Sequence, residues 1–323
     1  MCTSTLLLFF IALNGFFGFN PIQALAQETQ DVFTKGIDLP DWTLIYVSDY
    51  ISFIGEDDQG HVAFALDTNR GRDGESYQAE HFVVLHDENQ GWVSVEGNGE
   101  YDNIKEELLL APDSPTFQFT GTPKTGWTIV SIPNRLTVTI APLPVRISKS
   151  EKGGYFWMGS GPGTLQWEER TLKGRIIYEF ILMPDFNRLT HTYWALWNRF
   201  QGFYASVKDL GDLYLHDQQS ELIAPLIGKV NGFQTLPGET VHFQDLQLTT
   251  IEFSQGFGFY KWPKKWTANW SNTNENGTVH FELSEFNRIA NWVIGGFSMG
   301  IVRGEVTFRG QTYETYGLVE LIM

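Results

Sequence analysis

Three places in the chain set an imidazole beside a carboxylate: Glu80-His81, His86-Asp87 and His216-Asp217. Histidine titrates near neutrality and a neighbouring carboxylate can orient its ring, so these are the first candidates for general acid–base chemistry. Glu80, His81, His216 and Asp217 are the candidate catalytic residues. If they lie in strands, adjacent side chains point to opposite faces, and surface hydrogen bonding is the plainer use of each pair. Other chemistries find less footing. Gly-x-Ser-x-Gly does not occur around Gly159-Ser160-Gly161, so no serine-hydrolase elbow is expected. Glu168-Glu169, read as strand neighbours, would face opposite ways and could not flank one glycosidic bond. The seven His are scattered and no thiolate accompanies them, so no metal site is expected. Asp67-Thr68-Asn69-Arg70-Gly71-Arg72-Asp73-Gly74 has acceptors at alternate positions but lacks a calcium loop's central Gly and closing Glu. It reads as a solvated hairpin turn, with Arg70 and Arg72 able to hold a ligand carboxylate.

The candidate ligand-contacting residues are rings and one guanidinium: Tyr155, Trp157, Trp194, Trp197, Arg199, Tyr204, Trp262 and Trp266. Arg199 follows the Trp194/Trp197 group and suits either a cation–π prop or a polar anchor in an apolar pocket. Core packing is the plainer use of each ring taken singly. Together, 25 Phe, 12 Tyr and 11 Trp exceed what two small cores need, which leaves rings for a cavity or its mouth.

The elements that must hold these residues are strands. Runs rich in β-branched and aromatic residues, bounded by Gly, Asp and Asn, recur at 42–47, 61–66, 81–85, 116–120, 127–130, 136–140 and 175–180. Helical spacing is confined to three short stretches, 104–110, 189–197 and 284–292. The chain also echoes itself. Residues 57–64 match 208–215, residues 122–128 match 262–267, and Thr171-Leu172-Lys173-Gly174-Arg175 resembles Thr307-Phe308-Arg309-Gly310-Gln311. Met183-Pro184-Asp185-Phe186-Asn187 interrupts the pattern between the copies. The domains expected are thus 41–185 and 186–323, two successive antiparallel β halves, each long enough for a barrel that encloses one small ligand.

Ahead of them, residues 1–26 carry no charged side chain, contain an apolar stretch from Leu6 to Phe19, and close on Ala24-Leu25-Ala26. That is the pattern of a secretory signal cleaved after Ala26, followed by a polar lead over 27–40. Export to a periplasm or the exterior follows as the expectation, with no stable transmembrane span after cleavage. The only cysteine is Cys2, so the mature chain would form no disulfide. Across 323 residues, 22 Lys+Arg stand against 38 Asp+Glu, a net charge of −16, which argues against nucleic acid as a partner. A 42% hydrophobic and 19% charged composition excludes a disordered chain.

An exported, aromatic-rich chain of two successive lipocalin-like β halves, with the Gly-turn-strand pairs above and the endings Gly174-Arg175-Ile176-Ile177-Tyr178-Glu179 and Gly310-Gln311-Thr312-Tyr313-Glu314, resembles the AttH and carotenoid 1,2-hydratase group. The resemblance is architectural and transfers no catalytic residue. It implies an all-β tandem lipocalin-like fold and a pocket for an isoprenoid, polyene or other hydrophobic small molecule. The function expected is an exported binding protein or a cofactor-free enzyme performing hydration, cyclisation or isomerisation, with no cofactor. Such chemistry needs a carboxylate or His to protonate a double bond, and therefore an acid kept protonated by burial. Two other classes stay open: a carbohydrate-binding or carbohydrate-active β-sandwich using exposed Trp rings, and a ligand-free envelope scaffold.

Overall fold

The computed structural model describes residues 43–96, 102–106, 109, 117–122, 125–131, 134–186, 199–219, 224–254, 261–291 and 296–322. The signal and lead segments, Trp194 and Trp197, and the helical stretch expected at 189–197 lie outside the described residues. So does part of 104–110.

The first half comprises β1 (Leu44–Asp57), β2 (Gly60–Asp73), β3 (Ser76–Asp87), β4 (Gly91–Glu96), β5 (Asp102–Asn103), β6 (Phe117–Thr122), β7 (Gly126–Ser131), β8 (Leu136–Ile140), β9 (Val145–Glu151), β10 (Gly154–Trp167) and β11 (Arg170–Pro184). The second comprises β12 (Phe200–Val207), β13 (Gly211–Gln218), the single-turn helix α1 (Ala224–Ile227), β14 (Val230–Leu236), β15 (Glu239–His242), β16 (Gln247–Phe253), β17 (Pro263–Ser271), β18 (Asn276–Asn291), β19 (Gly296–Phe308) and β20 (Gln311–Ile322). Each half is one curled antiparallel sheet. Their orders, β4-β3-β2-β1-β11-β10-β8-β7-β6 and β15-β14-β13-β12-β20-β19-β18-β17-β16, are the same arrangement twice. Among the described residues no helix is long and apolar enough to cross a membrane.

The duplication is also visible in detail. Gly60 and Gly211 open β2 and β13 with φ of +110° and +155°, a backbone that a side chain would strain. The second sequence match pairs β7 with β17 and β8 with β18, as the strand orders require. The third match is five residues out of register. The equivalent two-residue turns are Glu168-Glu169, between the paired Trp167 and Arg170, and Arg309-Gly310, between Phe308 and Gln311. Glu168-Glu169 is therefore a turn, with Glu168 at φ +53°, and not a strand pair. Counting twelve residues on from Trp167 and from Phe308 brings Glu179 and Glu320 to equivalent positions of β11 and β20.

The helical reading of 284–292 gives way to strand β18, because register shifts at Leu283/Glu285 and Arg288/Ala290 break its alternation and mimic helical spacing. Asp67 to Arg70 are likewise strand and buried, and the turn begins only after Asp73. Arg70 is not offered to a ligand: it is ion-paired with Asp49 and donates to Thr68 Oγ1 at 2.7 Å.

Central strands are buried on both faces. On β1, Ile45, Val47, Ile51 and Phe53 point into the first half with Trp157 and Tyr178, while Tyr46, Tyr50 and Ile54 point at the second half. Phe203, Trp266 and Phe281 fill the second interior. Buried side chains occupy the described parts of both interiors, and among the described residues a cavity lies where the halves meet. It is a cleft of about 1210 Å³ walled by Ile54, Lys173 and Arg175 from the first half and by Val207, Trp266, Phe281 and Tyr316 from the second.

Polar ties hold the seam beside its apolar contacts. Arg175 grips Asp212 with both arms, Nε to Oδ1 at 2.7 Å and Nη2 to Oδ2 at 2.6 Å. Arg146 Nη1 donates to Thr240 at 2.7 Å, and Arg303 pairs with Glu88 at 2.7 Å. Asp212 is fully buried, so losing its partner strands a desolvated charge. Arg175→Ala should cost about 3 kcal/mol in urea unfolding, and Arg175→Lys should recover little of it because the grip is bidentate. A loss below about 1 kcal/mol would contradict this account of the seam.

Candidate functional site

Where the sheets face each other, period-2 alternation delivers polar groups from both. Across the first sheet, Asp67 on β2, Tyr50 on β1 and Glu179 on β11 sit side by side as direct cross-strand partners. The second sheet presents Tyr204 on β12, Tyr214 and His216 on β13, and Glu320 on β20. All are buried, the three carboxyl groups at 4 to 6% exposure.

The two sets touch. The Tyr50 and Tyr204 rings lie 4.3 Å apart. Tyr214 Oη is 3.0 Å from Glu179 Oε2 and 2.8 Å from His216 Nδ1. His216 Nε2 is 3.2 Å from the Gly228 carbonyl. Tyr204 Oη is 3.5 Å from Glu320 Oε2. Asp67 accepts from Ser48 Oγ at 3.3 Å and from Asn69 Nδ2 at 2.9 Å. The Tyr50 hydroxyl is buried and has no hydrogen-bond partner among the described residues, which leaves a donor for a bound molecule.

The nearest cation on the Glu179 strand, Arg175, is committed to Asp212. Burial is the largest influence on Glu179. It pushes the Glu179 carboxyl up to about 7, against the lowering effect of the Tyr214 hydroxyl and with help from the Asp67 charge. Burial and the surrounding carboxylates also hold Tyr50, Tyr204 and Tyr214 well above the usual phenol range. Burial, aided by the Lys149 charge, pushes His216 down to about 4, so the ring is neutral near pH 7. Near neutrality, Glu179 is an acid with a proton to give.

Of the residues singled out from sequence, His216 and Tyr204 lie in this cluster. Glu80 shares the seam face of the first sheet, opposite Asn69. His81 points the other way, into the first interior, where its ring meets Phe117 at 5.1 Å and burial and Arg70 push it down to about 4. Asp217 turns away from His216, as strand alternation dictates, and burial raises its carboxyl. Tyr155 and Trp157 pack in the first interior and Trp266 in the second, where its Nε1 donates to Gln201 at 2.7 Å. Trp262 is half-buried against Phe286, and Arg199 is exposed just ahead of β12. None of the described tryptophans is an exposed platform of the kind a sugar stacks on. Among the described residues no group of His, Cys, Asp and Glu is arranged to hold a metal ion.

The sequence reading missed Tyr50, Glu179, Tyr214 and Glu320, and it placed Asp67 in a solvated turn. A signal for two of them was present: Glu179 within Ile177-Tyr178-Glu179-Phe180-Ile181 and Glu320 within Leu318-Val319-Glu320-Leu321-Ile322 are acids inside strands that are otherwise apolar on both faces. The five-residue slip in the third match hid their equivalence.

The architecture is a tandem lipocalin-type fold of the AttH kind. Among solved structures the chain is similar to a protein assigned as an AttH from Nitrosomonas europaea, with TM-score 0.50 and 11% identity over 89% of this chain and 97% of that one. It is also similar to kievitone hydratase from Nectria haematococca, with TM-score 0.52 and 10% identity over 87% of this chain and 89% of that one. At such identities the likeness is one of fold. No family model matches the sequence, and no curated protein does.

A carboxyl whose folded pKa lies above its unfolded value makes the folded chain bind its proton more tightly, so stability is lost as pH rises from about 4.5 to about 7. His216 acts oppositely, adding stability as pH rises from about 4 to 6.5. Glu179→Gln removes only the first effect. Its stability relative to wild type should therefore rise by about 3 kcal/mol across the Glu179 window in urea unfolding. A difference independent of pH would contradict the raised carboxyl.

Proposed function

We propose that the protein binds a hydrophobic small molecule of isoprenoid or polyene type between its halves and acts on it as a cofactor-free acid catalyst. The observation that carries this is Glu179, a carboxyl buried at the seam, raised to about 7 and ringed by tyrosines. Glu179 does not itself line the cleft, and the ligand's entry from it is part of the proposal. Ser206 on its wall is two residues from Tyr204, and Ile54 and Tyr316 belong both to the cleft and to the apolar seam.

In the proposed step the Glu179 proton adds to one carbon of a double bond, leaving a cation on the other and a carboxylate on the protein. The faces of Tyr50, Tyr204 and Tyr214 stabilise the cation as it forms. Water capture gives hydration, attack by a second double bond gives cyclisation, and loss of a neighbouring proton gives isomerisation. In each case a proton returns to the carboxylate. The likeness in fold to a hydratase supports the ligand class.

Incubation with a conjugated polyene in D2O tests the step. Carbon-bound deuterium should appear in recovered ligand or product, and Glu179→Gln should slow its appearance by about 100-fold or more, the usual worth of a positioned acid. Equal incorporation by wild type and variant, or none with any polyene that quenches the tryptophan emission, would overturn it.

We also propose export, with cleavage after Ala26. Mass spectrometry of the protein recovered from its native source should give a chain beginning at Gln27. A chain beginning at Met1 in the same fraction would contradict this.

A further inference from the structure

The proton count around Tyr214 leads one step beyond the acid itself, and rests on the reading of Glu179 as the seam's acid. Tyr214 has one hydroxyl proton and two partners, Glu179 Oε2 at 3.0 Å and His216 Nδ1 at 2.8 Å. The far side of His216 decides between them. A carbonyl can only accept, so the ring nitrogen 3.2 Å from the Gly228 oxygen, Nε2, carries the hydrogen. In a neutral ring Nδ1 is then bare and needs a donor, and Tyr214 is the one in reach. With the tyrosine proton committed to Nδ1, the Glu179 oxygen facing the phenol must bring its own.

We propose that His216 is a positioning residue that, acting through Tyr214, keeps Glu179 in its acid form, because His216 Nδ1 claims the hydroxyl proton that would otherwise stabilise the Glu179 carboxylate. When Glu179 gives its proton away, the Tyr214 hydrogen turns to the new carboxylate and Nδ1 loses its donor. The carboxylate is thereby made less comfortable and takes a proton back more readily.

The other groups that face Glu179 do not substitute for this pair. Tyr50 from β1 and Tyr204 from β12 are held as neutral phenols, Asp67 from β2 is an acid whose charge disfavours a second one on Glu179, and Glu320 from β20 acts on the surrounding phenols. Neighbouring β10 presents Met158 as the cross-strand partner. Arg175, on the same strand, is held by Asp212. Lys149 lies beyond His216, beside Gly228, where its charge adds to the burial that keeps the imidazole from protonating.

The arrangement has a sign that ordinary burial does not. Removing a polar imidazole from an apolar seam should raise a neighbouring carboxyl pKa further. Removing it from this pair frees Tyr214 to donate to the carboxylate and should lower that pKa. Carbon-13 NMR of the full chain labelled at the glutamate side-chain carboxyl, with the Glu179 signal assigned by its loss in Glu179→Gln, reads the midpoint directly. Wild type should titrate well above the ordinary carboxylate range, at about 7 or higher, since about 7 already includes a Tyr214 hydrogen bond to the carboxylate. His216→Leu should titrate lower by about one pH unit, Tyr214→Phe higher, and His216→Asn, which restores an acceptor in the Nδ1 position, close to wild type. A His216→Leu midpoint that is unchanged or raised would overturn the proposal. Nitrogen-15 NMR of unaltered protein supplies a readout that needs no variant: His216 should be the Nε2–H tautomer, and an Nδ1–H ring would overturn the proposal. Failure of deuterium incorporation with these results intact would remove the catalytic reading and leave the pair standing.

Discussion

Glu179 meets Tyr214 across a seam from which both are unable to turn toward water. That constraint organises the molecule. β1, β2 and β11 are covered on one face by the interior of their own half and on the other by the second half, so any polar group they send into the seam must find its partners there. The seam supplies phenols, carboxyls and a neutral imidazole. A carboxyl buried beside another acid is held in its protonated form, and Glu179, next to Asp67 across β1, is the group that burial raises.

Duplication explains how the arrangement came to be possible. Two copies of one sheet order, each ending in a long hairpin, bring equivalent strands β11 and β20 to the same boundary, and with them Glu179 and Glu320 at equivalent positions. The copies then diverge in what stands beside these acids. Opposite Glu179 the first half places Tyr50, and opposite Glu320 the second places Gly202. Beyond them lie Asp67 and His216 respectively. The rows are alike in backbone and different in chemistry, so the two acids are not interchangeable.

Much of the architecture was legible in the residues. β-branched and aromatic runs between turn formers marked the strands, and the Gly turns at Gly60 and Gly211 marked the repeat. The misreadings have physical causes. Bulges in β18 gave residues 284–292 a helical rhythm. Burial on both faces of β2 made Asp67 to Arg70 look like a polar turn, because polar residues usually mark exposure and here they satisfy one another. The site was harder still. Tyr50, Tyr214 and Glu179 are far apart in the chain and join only when the second half docks on the first, so no local spacing announces them. His216 was reached as the neighbour of Asp217, although its working partner is Tyr214, two residues away on the same face.

The central claim is that a proton resides on Glu179 at the seam while Tyr214 points its own at His216. Neutron diffraction from deuterium-exchanged crystals at about pH 6, below the Glu179 midpoint, tests it most directly. The account predicts deuterium on the Glu179 oxygen facing Tyr214, and the Tyr214 hydroxyl deuterium directed at a bare His216 Nδ1. A carboxylate without deuterium, receiving the Tyr214 hydroxyl, would contradict it.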